Sequence, residues 1–140
     1  TVEWDAGNLK TAQRDFTTAY ALGPSFPDLA AYAAAGNIAI GDNAAADKIL
    51  MDAFGTTVVD STILAVAYYR AQAWPRLISM LTLRTEKPDA GAPAWFSLAA
   101  AYYTAGDRVN AIKAINTAIA KYPDAASAGA AAIKQIQEGK

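Results

Sequence analysis

Apolar residues recur along this chain with the spacing of helical stripes. One stripe has apolar side chains at positions i, i+3, i+4 and i+7, namely Trp95, Leu98, Ala99 and Tyr102. The next stripe repeats the helical period at Ala111, Ile112, Ile115, Ala118 and Ile119. Gly106 and Asp107 lie between them, where glycine accepts a left-handed C-terminal cap and aspartate is a good N-cap. The pattern therefore predicts two helices joined by a tight turn.

The same pattern is present 34 residues earlier. Residues 65–69, Ala-Val-Ala-Tyr-Tyr, return as Ala-Ala-Ala-Tyr-Tyr at 99–103, and Leu64 returns as Leu98. The segment Lys-Pro-Asp-Ala at 87–90 returns at 121–125 with one inserted residue. An internal copy of this length predicts stacked helical hairpins, whereas a four-helix bundle requires no internal copy.

Residues 92–124 carry a recognisable set of positions, which are Trp95, Leu98, Ala99, Tyr102, Ala111, Ile115 and Pro123. With Ala99 in place of Gly and Ile115 in place of Phe, the stretch resembles a tetratricopeptide repeat (TPR), whose signature is W-x2-L-G-x2-Y, A-x3-F and P. The preceding unit is similar at Leu64, Ala65, Tyr68 and Leu81. An earlier unit is similar at Ala33, Ala34, Ala46, Leu50 and Ala53, with Asn37 at the tyrosine position. The first residues resemble the second half of a repeat at Gly7, Ala12, Phe16, Ala19 and Pro24.

The resemblance implies an all-α fold, specifically a TPR-like right-handed α-solenoid of antiparallel helix hairpins with a C-terminal capping helix. We expect one TPR-like domain over residues 1–140, divided into a half repeat (1–26), repeats 27–57, 58–91 and 92–123, and a capping helix (124–138). The repeat shortens by about three residues between Phe54 and Asp60, which leaves the helix boundaries there open. Because the chain lacks an initiator Met and begins inside a half repeat, we expect it to be a fragment of a longer protein.

The composition excludes most catalytic chemistry. Hydrophobic residues make up 54% of the 140 residues, charged residues 18%, and the net charge is −1, which is unlike a disordered chain or a basic nucleic-acid-binding protein. The absence of cysteine and histidine removes disulfides, thiolate zinc sites, thiol nucleophiles and imidazole bases. Asp42, Asp47 and Asp52 do not have the spacing of the ligands in a calcium loop and are interpreted as surface or capping residues. We therefore expect no enzyme activity, no metal and no cofactor.

No segment of the sequence has the composition of a leader or a membrane span. The N-terminus lacks a basic stretch followed by an apolar one, so we expect no signal peptide. The longest weakly polar run, Leu29–Gly41, is shorter than the roughly 20 apolar residues that a spanning helix needs. We therefore expect no membrane span in these residues.

The resemblance also implies a binding surface, because the first helices of TPR hairpins line a concave groove that holds peptides or protein segments. In that register the groove residues are Ala31, Ala35, Ile38, Thr62, Val66, Tyr69, Phe96, Ala100 and Tyr103. This row is apolar and aromatic, and it lacks the Lys, Asn and Arg with which some family members grip a carboxylate. In the pairs Tyr68–Tyr69 and Tyr102–Tyr103, we expect one ring to face the core and the other the groove. The alternative is that another helix of the chain covers the groove residues.

Three functions follow from this interpretation. The leading one is a non-enzymatic scaffold that binds a peptide or protein segment in the apolar groove and does not bind nucleic acid. Alternatively, the Ala-rich end of the chain is similar to the C-terminal repeats of bacterial membrane glycan polymerases and ligases of the O-antigen type. That similarity implies a structural appendage of a membrane-bound parent. A third function is homodimerisation through the groove.

Overall fold

The structure, a computed structural model, describes residues 27–139, and over that range it is helical with no strand. Its helices are α1 (Pro27–Ala39), α2 (Asn43–Phe54), α3 (Thr62–Arg70), α4 (Trp74–Thr85), α5 (Ala92–Thr104), α6 (Arg108–Lys121) and α7 (Ala126–Gln137). A 3₁₀ turn, Pro123–Ala125, precedes α7. The all-α prediction is confirmed. The half repeat predicted for residues 1–26 lies outside the described residues.

The chain forms two compact units, residues 1–73 and 74–140. In the described part of the first unit, α1 packs against both α2 and α3. In the second unit, α5 packs against α4 and α6, and α7 packs against α6. Helices α1, α5 and α6 therefore each pack against two other helices. Apolar residues all round α1 are buried.

The turn after α1 is a Schellman motif, in which the last carbonyls of a helix accept N–H groups from beyond its end. The N–H of Asp42 donates to the carbonyl of Asn37 (2.8 Å), and the N–H of Gly41 donates to that of Ile38 (3.0 Å). Gly41 has the left-handed conformation that this motif requires, with φ +85°. The turn thereby satisfies two carbonyls that would otherwise lack a partner.

The turns after α3 and α5 repeat this bonding pattern. The equivalent donors are Ala73 to Tyr68 (2.8 Å), Gln72 to Tyr69 (3.1 Å), Asp107 to Tyr102 (2.8 Å) and Gly106 to Tyr103 (3.0 Å). The left-handed residues, 41, 72 and 106, are thus 31 and 34 residues apart. The predicted shortening between Phe54 and Asp60 is real, and its local structure is a non-helical connector over residues 55–61.

The predicted helix caps are partly correct. Asp42 and Asp107 cap α2 and α6, and each side chain accepts the backbone N–H three residues ahead at 3.1 Å. Asp124 follows the helix-ending Pro123 and has a side chain that can accept N–H groups, which predicts a cap for the last helix. This prediction is wrong. Pro123 begins a 3₁₀ turn that includes Asp124, so α7 begins after Ala125, which has no side chain that can cap.

Burial follows the repeat. The A-x3-F positions of the three second helices hold buried pairs, which are Ala46 with Leu50, Leu77 with Leu81, and Ala111 with Ile115. Asn37, at the tyrosine position of the first hairpin, is 2% exposed, and its Nδ2 donates to the carbonyl of Ala33 (2.8 Å). A polar residue is tolerated there because its amide is bonded inside its own helix. The chain therefore has helical-repeat character in its turns as well as in its sequence.

Gln72 is the only described non-glycine residue with positive φ, and we expect its replacement by glycine to stabilise the fold. A side chain in the left-handed region costs roughly 1–2 kcal/mol, which glycine avoids. The greater conformational entropy of glycine in the unfolded chain offsets about half of that gain. Gln72→Gly should therefore raise the free energy of unfolding by about 0.5–1 kcal/mol in urea denaturation. The reciprocal change, Gly106→Gln, should lower it by a similar amount. If both variants changed the free energy of unfolding in the same direction, the two turns would not be equivalent.

Candidate functional site

Helix α3 presents apolar side chains on two opposite faces. Leu64, Ala67 and Tyr68 are buried, with Tyr68 2% exposed. The opposite face carries Val66 and Tyr69, which are 43% and 61% exposed. Tyr68 therefore faces the core as expected, and Tyr69 is exposed. That the exposed ring lines a groove stays a prediction. A helix that is apolar on its solvent side lacks the polar face of an ordinary surface helix.

Helix α5 carries the equivalent stripe in a less open form. Phe96 and Tyr103 are half-buried, and Ala100 is exposed. The Arg108 guanidinium lies 6.0 Å from the centre of the Tyr103 ring, a cation–π arrangement. Tyr102 is also half-buried, so this tyrosine pair does not divide into one core and one surface residue as the sequence predicts.

The three predicted groove residues on α1 are buried, with exposed fractions of 3% for Ala31, 0% for Ala35 and 2% for Ile38. They contribute to packing and are closed to a partner in this structure. The structure therefore brings the predicted site residues together as two stripes, one in each unit. These are Thr62, Val66 and Tyr69 on α3, and Phe96, Ala100 and Tyr103 on α5.

The second unit contains a polar cleft that the sequence analysis missed. Its volume is about 690 Å³, and it is lined by α4, the segment after it, α5 and α6. Trp95, Leu98 and Tyr102 line it from α5, and Lys113 and Lys121 line it from α6. The sequence predicts that the α5 residues are core residues, but Trp95 and Tyr102 are half-buried beside the cleft. The helical spacing of the two lysines was the available signal, because residues eight apart share a helix face.

Two contacts hold the borders of the cleft. The ammonium group of Lys121 lies 5.8 Å from the centre of the Trp95 ring. The hydroxyl of Tyr122 donates to the carbonyl of Ala90, which ties the end of α6 to the segment before α5. The borders of the cleft are therefore the Lys121 ammonium group and a hydrogen bond between two residues that are 32 positions apart in sequence.

The carboxylate of Asp107 accepts the hydrogen bonds that cap α6. The side-chain amide of Asn110 donates to Oδ2 of Asp107 (2.6 Å), and its backbone N–H donates to Oδ1 (3.1 Å). These two bonds hold the pKa of Asp107 below its usual value, because both favour the charged form. Asn110 also lines the cleft, so this cap fixes one of its walls.

The remaining acidic residues in the described part of the chain do not form a metal site. Asp42 caps α2, and Asp52 pairs with Lys48 at 2.9 Å on the surface. Over residues 27–139, no three His, Cys, Asp or Glu side chains are grouped so that they could hold a metal ion. None of the helices in that range combines the length and the apolarity needed to cross a bilayer.

The chain matches no protein-family model, no curated protein and no solved structure. Both resemblances drawn from the sequence therefore rest on the quoted residues alone. The two stripes and the cleft are the features of the described chain that bear on its function.

Proposed function

We propose that this chain is a TPR-like helical-repeat module without enzymatic activity that binds a peptide or protein segment through its first helices. The three equivalent turns and the buried pairs of the second helices support the TPR-like arrangement. In such a stack, the first helix of each hairpin forms an inner row and the second an outer row.

The distribution of charge supports this division into two rows. Helices α1 and α3 carry one charged residue each, Asp28 and Arg70, at an end of the helix, and α5 carries none. The second helices α2, α4 and α6 carry charges along their length, as helices with one face in water do. The first helices thus have few charged residues, which favours contact with protein on more than one side of each helix.

The exposed face of α3 is the single observation that carries the proposal. Val66 and Tyr69 are one helical turn apart, and both are among the few large apolar residues that the described structure leaves exposed. Tyrosine is enriched in binding hot spots, because its ring buries a large area with little loss of conformational freedom. We expect the partner to be an apolar segment that covers this stripe. The affinity of this partner should depend little on salt, because apolar burial contributes ~25 cal/mol per Å² and salt does not screen that contribution.

Selection from a displayed library of random peptides tests the proposal. Uncharged apolar peptides enriched on the natural chain should lose affinity at least tenfold on Val66→Ser/Tyr69→Ser, which corresponds to about 1.4 kcal/mol. The change from 50 to 500 mM NaCl should alter their affinity less than about twofold. Met51→Ser is the matched control, since Met51 is 50% exposed on α2 and lies outside the stripe. Uncharged apolar peptides that bind the double variant as tightly as the natural chain would refute the assignment.

A further inference from the structure

Charge is unevenly divided along this chain. Residues 1–73 contain four basic and eight acidic residues, a net charge of −4, whereas residues 74–140 contain eight basic and five acidic residues, a net charge of +3. The second unit is therefore basic, although the net charge of the whole chain is close to zero. A basic surface with a concave site raises the local concentration of anionic ligands.

The basic character reaches the polar cleft. Lys113 and Lys121 line it from α6, a helix that contains no acidic residue. Neither lysine has a carboxylate partner within the described part of the chain. Glu86 is the one carboxylate among the lining residues, and Lys87 stands beside it. The cleft therefore holds a surplus of positive charge.

The hydroxyl groups of the cleft indicate which anion fits. Thr82, Thr85 and Thr117 donate to carbonyls of their own helices at 2.7, 2.6 and 2.9 Å. Their protons are thus already used, and their oxygens can only accept a hydrogen bond from a ligand. A matching ligand brings carboxylates for the lysines and N–H donors for the threonines. A peptide backbone supplies such donors, whereas an inorganic polyphosphate supplies none.

The spacing of the lysines defines the register of such a peptide. Eight residues of helix separate them by about 12 Å along the α6 axis. An extended peptide rises about 3.3 Å per residue, so side chains at i and i+4 are about 13 Å apart and share a face with i+2. Trp95 and Leu98 line the cleft from α5 with apolar surface, and the Trp95 ring lies 5.8 Å from the ammonium group of Lys121. An apolar side chain two residues from the carboxylate that Lys121 binds can therefore contact this surface.

From these observations we infer that the cleft binds an extended acidic peptide with carboxylates at i and i+4 and an apolar side chain at i+2. The inference does not rest on the proposed function, because the cleft uses a different face of α5 from the stripe of Phe96 and Tyr103. The two sites also differ in their salt dependence. Binding in the cleft weakens as salt screens the lysines.

Fluorescence anisotropy of a labelled peptide, acetyl-Ser-Glu-Ser-Leu-Ser-Glu-Ser-amide, on the full chain tests this inference. Lys113→Gln and Lys121→Gln should each weaken binding about threefold, and the double variant about tenfold. Lys134→Gln is the matched control, since Lys134 is exposed on α7 and does not line the cleft. Raising NaCl from 50 to 500 mM should weaken binding at least threefold.

Two further peptides test the charge and the register. Replacement of both glutamates by glutamine should abolish most of the binding, and placement of the two glutamates side by side should weaken it at least threefold. The Val66→Ser/Tyr69→Ser variant should bind the acidic peptide normally, which separates failure of this site from failure of the α3 stripe.

Several results would overturn the inference. One is unchanged affinity of the acidic peptide for the lysine double variant, and another is equal binding of the peptide whose glutamates are side by side. A third is a polyphosphate or single-stranded RNA that displaces the labelled peptide at a lower concentration than the unlabelled peptide does, and only when both lysines are present. Sedimentation that shows a dimer abolished by Lys113→Gln/Lys121→Gln would likewise overturn it, because a second copy of the chain would then be the occupant.

Discussion

Tyr68→Ala is expected to lower the free energy of unfolding by about 3–5 kcal/mol, whereas Tyr69→Ala should change it by about 0.5 kcal/mol or less. Tyr68 is 2% exposed and Tyr69 is 61% exposed, although they are neighbours on α3. Truncation of a buried ring loses its transfer free energy and leaves a cavity, whereas the exposed ring leaves neither. Urea denaturation followed by circular dichroism measures both variants.

Tyr68→Phe is the control for this pair. It keeps the ring and removes only the hydroxyl, so its cost should be about 1 kcal/mol. Equal losses for Tyr68→Ala and Tyr69→Ala would show that both faces of α3 are covered by protein, and the proposed binding stripe would then be part of the core.

Gly129→Val is expected to destabilise the second unit by about 2–3 kcal/mol. Gly129 lies where α7 packs on α6, and a β-carbon there would be 2.6 Å from Cδ1 and 2.7 Å from Cγ1 of Ile119. The Cγ2 of Ile115 would be 3.2 Å away. The larger side chain must therefore push the two helices apart or force their side chains from favoured rotamers. Thermal and urea unfolding both measure the effect.

A neighbouring substitution separates this clash from helix propensity. Ala130→Val makes the same side chain at an exposed position of α7 and should cost only about 0.6 kcal/mol. Ile119→Ala in the Gly129→Val background should recover at least about 1 kcal/mol relative to additive effects. Strict additivity of the two changes would mean that α7 does not approach α6 at Gly129.

Local features of the fold could be predicted from the sequence, because caps and turns are decided by a few adjacent residues. Gly106 and Asp107 have the predicted conformations, since glycine tolerates a positive φ and aspartate accepts the N–H groups of the first turn. The Asp124 cap failed because the intervening 3₁₀ turn shifts the start of α7. The TPR-like stack and the single domain over residues 1–140 stay predictions.

The site could be predicted less well, because exposure depends on which helices pack together. Ala35, Val66 and Ala100 have equivalent places in the predicted groove, yet Ala35 is fully buried and the other two are exposed. Helices α1 and α5 both pack against two helices, so the exposure of these positions depends on the side on which the neighbours lie and not on their number. The cleft was missed for a related reason. The helical spacing of Trp95 and Tyr102 predicts a buried face, but it does not show that the neighbouring helices leave a gap beside these residues.

The unequal lengths of α3 and α5 have a consequence for how such units diverge. Helix α3 has 9 residues and α5 has 13, yet both end in the same turn. The difference is close to one helical turn of 3.6 residues. Trimming a first helix at its start leaves every side chain before the turn in its original orientation. Each hairpin can therefore lose or gain a whole helical turn at that end during evolution while its buried and its exposed side chains stay in phase.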